Sequence, residues 1–391
     1  MVAHQPLCEA NRSNDYSSMF EKHTGERIRI IIAGGGTGGH LFPGIAIATG
    51  LRARCDDMDI LFVVGRKKME KAIIHKAGFE ARSIDVEGLL GKGMLGLMRA
   101  FIKVLISLIQ SLVIVRDFRP HLIVGVGGYS SGPLCLVARL FRVPTAIHEQ
   151  NSFPGLTNRM LAPLVKKVFI SFEESRKYFK RKDVFLTGNP VREELLHKRA
   201  LSKPSNGTFT ILVVGGSQGA RAINRAVVSA LEVLTEQGLQ PFVIHQTGKA
   251  HVSEILAEYQ SHGFAGEVRE FIDDMASAYG RADLVVCRAG ATTLAELAAL
   301  GKPSILIPYP YAAHQHQEVN ARTLVAAGGA DMILEHELDG AVLARRIRTY
   351  MENRDALERM STYALKAGMP RAREIIAGEL FKLVKDNRRQ A

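Results

Sequence analysis

The sequence predicts an α/β protein built from two nucleotide-fold domains that face one cleft, and three observations carry that prediction. Short apolar runs of strand length alternate with longer helical patterns throughout, the arrangement of parallel sheets covered by helices. Two glycine-rich turns of one design occur, one per half: IRIIIAGGGTGGH at 28–40 and FTILVVGGSQGARAIN at 209–224. With 391 residues, 47% of them apolar, the chain can bury two cores.

The first 27 residues are polar and lack an apolar stretch that would serve as a signal-peptide core, so they read as a disordered extension and export is not expected. Strands are expected at 29–32, 60–64, 122–126, 145–148, 168–171 and 184–186 in the first half. In the second they fall at 210–214, 242–245, 267–271, 283–286 and 304–307. LSKPSNGT at 201–208 has linker composition, which puts the boundary between Arg192 and Thr208. The expected division is an extension at 1–27, domains at 28–192 and 193–370, and a C-terminal segment at 371–391 whose helical pattern can return to the first domain.

Residues 91–116, GKGMLGLMRAFIKVLISLIQSLVIVR, form the most apolar stretch. Its apolar run is shorter than the ~20 residues of a membrane span, and Arg99, Lys103, Ser107 and Gln110 recur at helical spacing as one polar stripe. The expectation is a wide-faced surface helix. Met94, Leu95, Leu97, Met98 and Phe101, flanked by Lys92, Arg99 and Lys103, suit the surface of an acidic bilayer, and an ordinary core-covering helix is the competing reading.

A formal net charge of +12 favours anionic partners such as nucleotides or acidic lipid head groups. Nucleic acid is disfavoured: zinc-finger spacing and RNA-binding aromatic signatures are missing, and aromatic residues make up only 7% of the chain. Cys8, Cys55, Cys135 and Cys287 lie far apart, with neither metal nor disulfide spacing, which points to a reducing compartment.

GGGTGGH satisfies G-x-G-x-x-G through Gly34, Gly36 and Gly39, so a dinucleotide oxidoreductase is one reading. The end of the second strand, where such an enzyme needs an acidic residue, reads Gly65, Arg66, Lys67, which leaves only NADP. His40, at the start of the first helix beside a turn suited to phosphate or sugar, is a candidate general base; a capping or packing role competes. Thr37 suits sugar or phosphate, or its own turn.

VGVGGYSSGP at 124–133 places Tyr129, and HEQN at 148–151 places a carboxylate and two amides, at strand ends where α/β ligands bind. GNPVR brings Arg192 to the region between domains, where its planar charge suits a diphosphate; a solvated surface arginine is the alternative. GGSQGA adds Ser217 and Gln218 at a helix N-terminus, without the G-K-[ST] ending of an ATPase loop. RAGATTLAELAALGKP at 288–303 sets Glu296 within a helix, where it can accept ribose hydroxyls or merely complement the dipole. His314 and His316 in HQHQEVN lack a completing ligand, and Asp57 and Asp59 precede their strand, so no protein-held metal is expected.

With these motifs in order, the chain from about residue 28 onward resembles the MurG family, through GGGTGGH, GGYSSGP, HEQN, GNPVR, GGSQGA, FIDDM and HQxxNA. The resemblance implies the GT-B architecture, two Rossmann-like domains flanking a cleft, with an N-terminal domain for acceptor and membrane and a C-terminal domain for UDP-N-acetylglucosamine (UDP-GlcNAc). It implies an inverting hexosyltransferase that moves N-acetylglucosamine to the 4-hydroxyl of undecaprenyl-diphospho-muramyl-pentapeptide in peptidoglycan synthesis, with no cofactor. Thr37, Gly38 and Gly39 would lie by the donor diphosphate or sugar, Asn151 by N-acetylglucosamine, and Arg192, Ser217 and Gln218 by the diphosphate. Ile272 would meet uracil through its backbone. Ala291, Thr292, Thr293, Leu294, Ala295 and Glu296 would line the nucleotide pocket, and Gln317 would bond the sugar. His40 would be the base with Glu149 next in line, and Tyr129 and Glu149 would face the acceptor. The ATTLAE segment differs from the family pattern in its middle residues, and His316 occupies a variable position. The implied setting is peripheral, on the cytoplasmic face of the bacterial inner membrane, with an anionic membrane surface and cell-wall synthesis proteins as further partners. A sensor of nucleotide sugars and a related transferase with another acceptor stay open on sequence alone.

Overall fold

The computed structural model describes residues 27–36, 38–86, 94–198, 207–216 and 218–390. Among them, two parallel sheets carry the fold. The first holds β1 (Ile28–Ala33), β2 (Met58–Val64), β3 (Glu80–Ser83), β4 (Leu122–Gly125), β5 (Thr145–Glu149), β6 (Lys167–Ile170) and β7 (Val184–Leu186), in the order 3-2-1-4-5-6-7. The second holds β8 (Thr210–Val214), β9 (Phe242–Gln246), β10 (Gly266–Arg269), β11 (Leu284–Cys287), β12 (Ser304–Leu306) and β13 (Asp331–Met332), in the order 10-9-8-11-12-13. Ile30 pairs with both Ile60 and Leu122, so β1 is central and apolar on both faces, as helix-covered parallel strands must be.

The helices of the first half are α1 (Gly38–Arg52), α2 (Lys68–Lys76), α3 (Met94–Phe118), α4 (Ser131–Leu140) and α5 (Leu156–Leu161), while α6 (Glu193–Lys198) packs on the second half, where Leu195 joins the core. Those of the second are α7 (Arg221–Glu236), α8 (Val252–His262), α9 (Met275–Arg281), α10 (Ala291–Leu300), α11 (His316–Ala326), α12 (Gly340–Glu352), α13 (Arg354–Ala367) and α14 (Ala372–Gln390). Two edge strands escape the sequence reading. β3 reads EARS and alternates between exposed and half-buried, and β13 is two residues long, so neither shows an apolar run. The strand expected at 267–271 sits at Gly266–Arg269, because pairing with β9 ends before Phe271 turns out to solvent.

The helix α3 is present but its polar stripe is split, which corrects the expectation of one wet side: Lys103 is exposed, Gln110 is half-buried and Ser107 is buried. Ser107 and Ser111 are buried and donate to the carbonyls of Val104 and Ser107, both at 2.7 Å, which satisfies the hydroxyls within the helix and leaves small side chains at the interface. Gln110 accepts from Asp85 N–H at 2.7 Å and donates to Asp85 Oδ2 at 2.9 Å. The outward face is apolar: Ile102, Leu105, Ile106, Ile109, Leu112 and Val113 are exposed, Ile109 by 62% and Val113 by 60%. The neighbouring α4 exposes Leu136 and Leu140. No helix among the described residues is long and apolar enough to cross a membrane. Leu97 and Phe101 fall outside the described side chains, and residues 1–26, Thr37 and Ser217 lie outside the described residues.

After α13 the chain crosses back. Ile376, Ala377, Leu380 and Val384 of α14 are essentially inaccessible and join Ile28, Ile47, Leu51 and Phe169 in the core of the first half. Burial of a full-sized aliphatic side chain of this kind contributes about 1.5–3 kcal/mol. Lys167 Nζ meets Glu379 Oε2 at 2.6 Å at the same interface. The two passages between halves run side by side: Gly188 packs against Met369, and Arg373 pairs with Glu193.

Candidate active site

Both glycine turns lie at the point in their sheet where strand order reverses, after β1 beside β4 and after β8 beside β11, which is where open α/β sheets bind ligands. The loops that follow β4, β5, β9 and β12 gather at the same carboxyl edges. Gly219, at φ +77°, shows how tight this packing is: a Cβ there would stand 2.0 Å from the Thr247 carbonyl oxygen.

HEQN, expected at a strand end beside a ligand, is a packed cluster whose first two residues belong to β5. His148, Glu149 and Gln150 are each at most 1% exposed. His40 Nδ1 lies 3.0 Å from Gln150 Oε1, and Gln150 Nε2 lies 2.9 Å from Val126 O and 3.0 Å from His148 Nδ1. His148 Nε2 is 3.2 Å from Gly188 O. Burial drives the His148 pKa from 6.5 to about 4, with the nearby His40 adding to the fall and the Gly188 carbonyl opposing it.

Glu149 has both oxygens occupied. Oε1 accepts from Asn151 N at 3.0 Å and Asn151 Nδ2 at 3.4 Å; Oε2 accepts from Gly155 N at 3.0 Å and Asn158 Nδ2 at 2.9 Å. The carboxylate fixes the 151–155 loop. Tyr129 stands 55% exposed on the turn after β4.

On the second half, Glu296 is buried on α10. Arg192 Nη2 reaches its Oε1 at 3.2 Å and the Tyr279 hydroxyl donates to its Oε2 at 3.1 Å. Burial raises the Glu296 pKa above the ordinary carboxylate value, while Arg192 and Tyr279 pull it back. The Arg192 guanidinium lies 4.9 Å from the centre of the Phe42 ring on α1, so one arginine touches both halves. Ile272 N–H donates to Gln246 Oε1 at 2.9 Å, and Gln246 Nε2 donates to Gly216 O at 3.0 Å; the proposed uracil segment is thereby tied to the second glycine turn, with the Ile272 amide already engaged.

The cleft is bridged by polar groups. Thr292 Oγ1 donates to Gly39 O at 3.4 Å and accepts from Asn189 Nδ2 at 3.4 Å. Gly38 and Gly39 open α1, Ala291 to Thr293 open α10, and Gln218 stands exposed before α7. Leu294 is a core side chain whose N–H is bound by Gly290 O, and Ala295 packs partly against that core. Gln317 Oε1 accepts from Tyr309 N at 2.9 Å and so shapes its own loop. The His314 ring stacks on Phe153 across the cleft, with centroids 4.0 Å apart. His316 Nδ1 bonds Ala313 O, and Asp57 and Asp59 pair with Arg27. Arg66, the residue an NADP site would require, is paired with Asp85. Among the described residues no three His, Cys, Asp or Glu side chains group as a metal site.

Sequence reasoning did not single out Asn158, Gln246 or Tyr279, and gave no role of their own to Gln150 and Asn320 within HEQN and HQxxNA. For Gln150 and Gln246 a signal existed: each is a polar side chain closing an apolar strand that runs into a glycine or asparagine turn.

Two family models match this chain: the glycosyltransferase family 28 N-terminal domain over residues 30–170 and the corresponding C-terminal domain over 210–376. The chain is 45% identical to the UDP-N-acetylglucosamine–N-acetylmuramyl-(pentapeptide) pyrophosphoryl-undecaprenol N-acetylglucosamine transferase of Anaeromyxobacter dehalogenans, covering 92% of this chain and 94% of that one. It is 46% identical to the transferase of the same name from Myxococcus xanthus, covering 90% and 91%. Among solved structures, Acinetobacter baumannii MurG superposes with a TM-score of 0.73 at 30% identity, covering 91% of this chain and 99% of that one. The UDP-GlcNAc 2-epimerase of Neisseria meningitidis, solved with UDP-GlcNAc, shares the fold, with a TM-score of 0.65 at 14% identity over 91% of this chain and all of the other.

Proposed function

Since the chain belongs to the MurG family within glycosyltransferase family 28, it transfers N-acetylglucosamine from UDP-GlcNAc to lipid-linked muramyl-pentapeptide in peptidoglycan synthesis, and we propose that it does so by one inverting displacement across the cleft. The observation that carries this mechanism is the Thr292–Gly39 bond, which sets the first turn of α10, with Glu296 behind it, against the first turn of α1, with His40 on it.

The acceptor 4-hydroxyl attacks the anomeric carbon, His40 takes its proton, and UDP leaves from the opposite face to give a β-1,4 linkage. Negative charge then grows on the diphosphate. Arg192 and the amides at the start of α7, with Ser217 and Gln218, oppose that charge as it forms. Glu296 receives the ribose hydroxyls, Ile272 and the opening residues of α10 line the nucleotide pocket, and Asn151 and Gln317 hold the sugar. Gly38 and Gly39 let the backbone approach the donor. Tyr129 faces the acceptor, and Glu149 serves it by fixing the Asn151 loop. No cofactor enters this scheme.

A lipid-linked acceptor requires the enzyme to work at a membrane. The outward apolar face of α3, with Lys103 and Arg116 at the same helix surface, supports a peripheral seat on the anionic cytoplasmic face of the bacterial inner membrane. There other cell-wall synthesis proteins are natural neighbours. The domain division follows the same logic, with 28–192 serving acceptor and membrane, 193–370 the donor, and 371–391 returning to the first.

The direct test is radiolabel transfer from UDP-GlcNAc to a short-chain lipid-linked muramyl-pentapeptide, with His40→Ala alongside. Selective transfer that falls by about 10²–10⁴ in the variant while donor affinity holds supports the assignment; full activity without His40 removes it as the base.

A further inference from the structure

The cluster joining His40 to His148 contains enough acceptor-only groups to fix where each proton sits. Gln150 is 1% exposed, and its Nε2 lies 2.9 Å from the Val126 carbonyl oxygen. A carbonyl oxygen carries no hydrogen, so this contact sets the orientation of the Gln150 amide. The second hydrogen of the same NH₂ group points to His148 Nδ1 at 3.0 Å, which must therefore accept. Burial keeps His148 neutral, and its single proton then occupies Nε2, facing the Gly188 carbonyl at 3.2 Å. Gln150 Oε1 is left facing His40 Nδ1 at 3.0 Å. An amide oxygen only accepts, so His40 Nδ1 carries a hydrogen, and in the neutral ring the lone pair is then on Nε2.

We propose that Gln150 is a positioning residue that sets the His40 tautomer, leaving Nε2 bare to receive the proton of the attacking hydroxyl; this rests on His40 being the base. Gly127 supports the geometry: at φ +91° it packs under the ring, and a Cβ there would stand 2.7 Å from His40 Nδ1. In the reaction the bond from the acceptor oxygen to the anomeric carbon forms, the bond from that carbon to the diphosphate oxygen breaks, and its electron pair leaves with UDP. The hydroxyl proton passes to His40 Nε2. The resulting imidazolium still donates from Nδ1 to Gln150 Oε1, a hydrogen bond that strengthens as the ring becomes charged.

The experiment is long-range ¹H–¹⁵N NMR on histidine-labelled enzyme at neutral pH, with the His40 signals assigned by their loss in His40→Ala. His40 is expected as the Nδ1–H tautomer. In Gln150→Met, which keeps length and apolar volume, the ring should move towards the Nε2–H form. Its kcat should fall roughly 10- to 100-fold while donor KM stays within about twofold. A merely structural glutamine would not move the tautomer or split kcat from KM. Finding His40 as Nε2–H in the unmodified enzyme overturns the proposal without needing a variant. Unchanged kcat in Gln150→Met, with His40→Ala inactive, removes the positioning role and leaves the base. Full activity of His40→Ala removes the base itself, and with it the catalytic use of the tautomer.

Discussion

Asn320 Nδ2 donates to Asn151 Oδ1 at 3.3 Å while Asn320 Oδ1 accepts from Ser152 N–H at 2.9 Å, so one wholly buried side chain of α11 holds the loop after β5 from across the cleft. Asn320→Ala leaves the half-buried Asn151 amide oxygen and the buried Ser152 N–H without this partner. The expected cost is about 1–3 kcal/mol of stability, seen as a lower urea midpoint, together with a raised KM for UDP-GlcNAc. An unchanged midpoint and KM would show that the bridge contributes to neither.

Tyr279 is the second test of donor geometry. Its hydroxyl is the neutral donor to Glu296 Oε2, and a hydrogen bond to a charged group contributes about 1.5–3 kcal/mol. Tyr279→Phe should weaken UDP binding by roughly tenfold, as measured by calorimetry, and leave turnover at saturating donor near its original value. Loss of turnover with intact UDP affinity would place Tyr279 in the chemistry instead.

Acid should loosen the fold through two buried histidines. Burial lowers His148 from 6.5 to about 4 and His245 from 6.5 to about 3. Between those values and 6.5 the unfolded chain binds more protons than the folded one, so stability falls as pH drops. The loss ends below about 4 for His148 and about 3 for His245. Each histidine adds at most about 1.4 kcal/mol per pH unit to that slope, a total on the order of 3 kcal/mol for His148 and somewhat more for His245. Urea midpoints measured from pH 7 to 4 should decline, and His245→Gln should flatten the decline; an equal slope in the variant would remove His245 from the account.

For the outward face of α3, the informative variant is Ile109→Ser with Val113→Ser. Both side chains are exposed, so stability should shift by no more than about 0.5 kcal/mol per site. Co-sedimentation with phosphatidylglycerol vesicles should drop severalfold, while transfer to a water-soluble short-chain acceptor stays intact. Undiminished sedimentation would send the membrane contact elsewhere.

The glycine turns, the parallel sheets and the polar strand ends were legible in the sequence because each depends on local chemistry: Gly at positive φ, unbroken Val and Ile runs, amides after strands. What escaped depends on who faces whom. Ser107 read as part of the wet stripe of an apolar helix, yet it is buried and bonds its own backbone, as Ser111 does one turn on. Glu149 read as a reactive carboxylate, and its four donors are visible only once the 151–158 segment folds over it. Likewise Asn320 lies far along the chain from Asn151, and no spacing rule joins them.

Two passages of chain, not one, connect the halves, and they lie next to each other with Gly188 against Met369 and Arg373 on Glu193. Neighbouring tethers of this kind act as a door hinge with two leaves: the halves can swing about the line through both tethers, while shearing or twisting stretches one of them. A swing about that line leaves both tethers unstretched, and with the halves as they stand Thr292 meets Gly39. Cutting the chain after Ala367 would remove one leaf and uncover the core that Ile376 and Leu380 seal, so the second tether and the integrity of the first domain depend on the same segment.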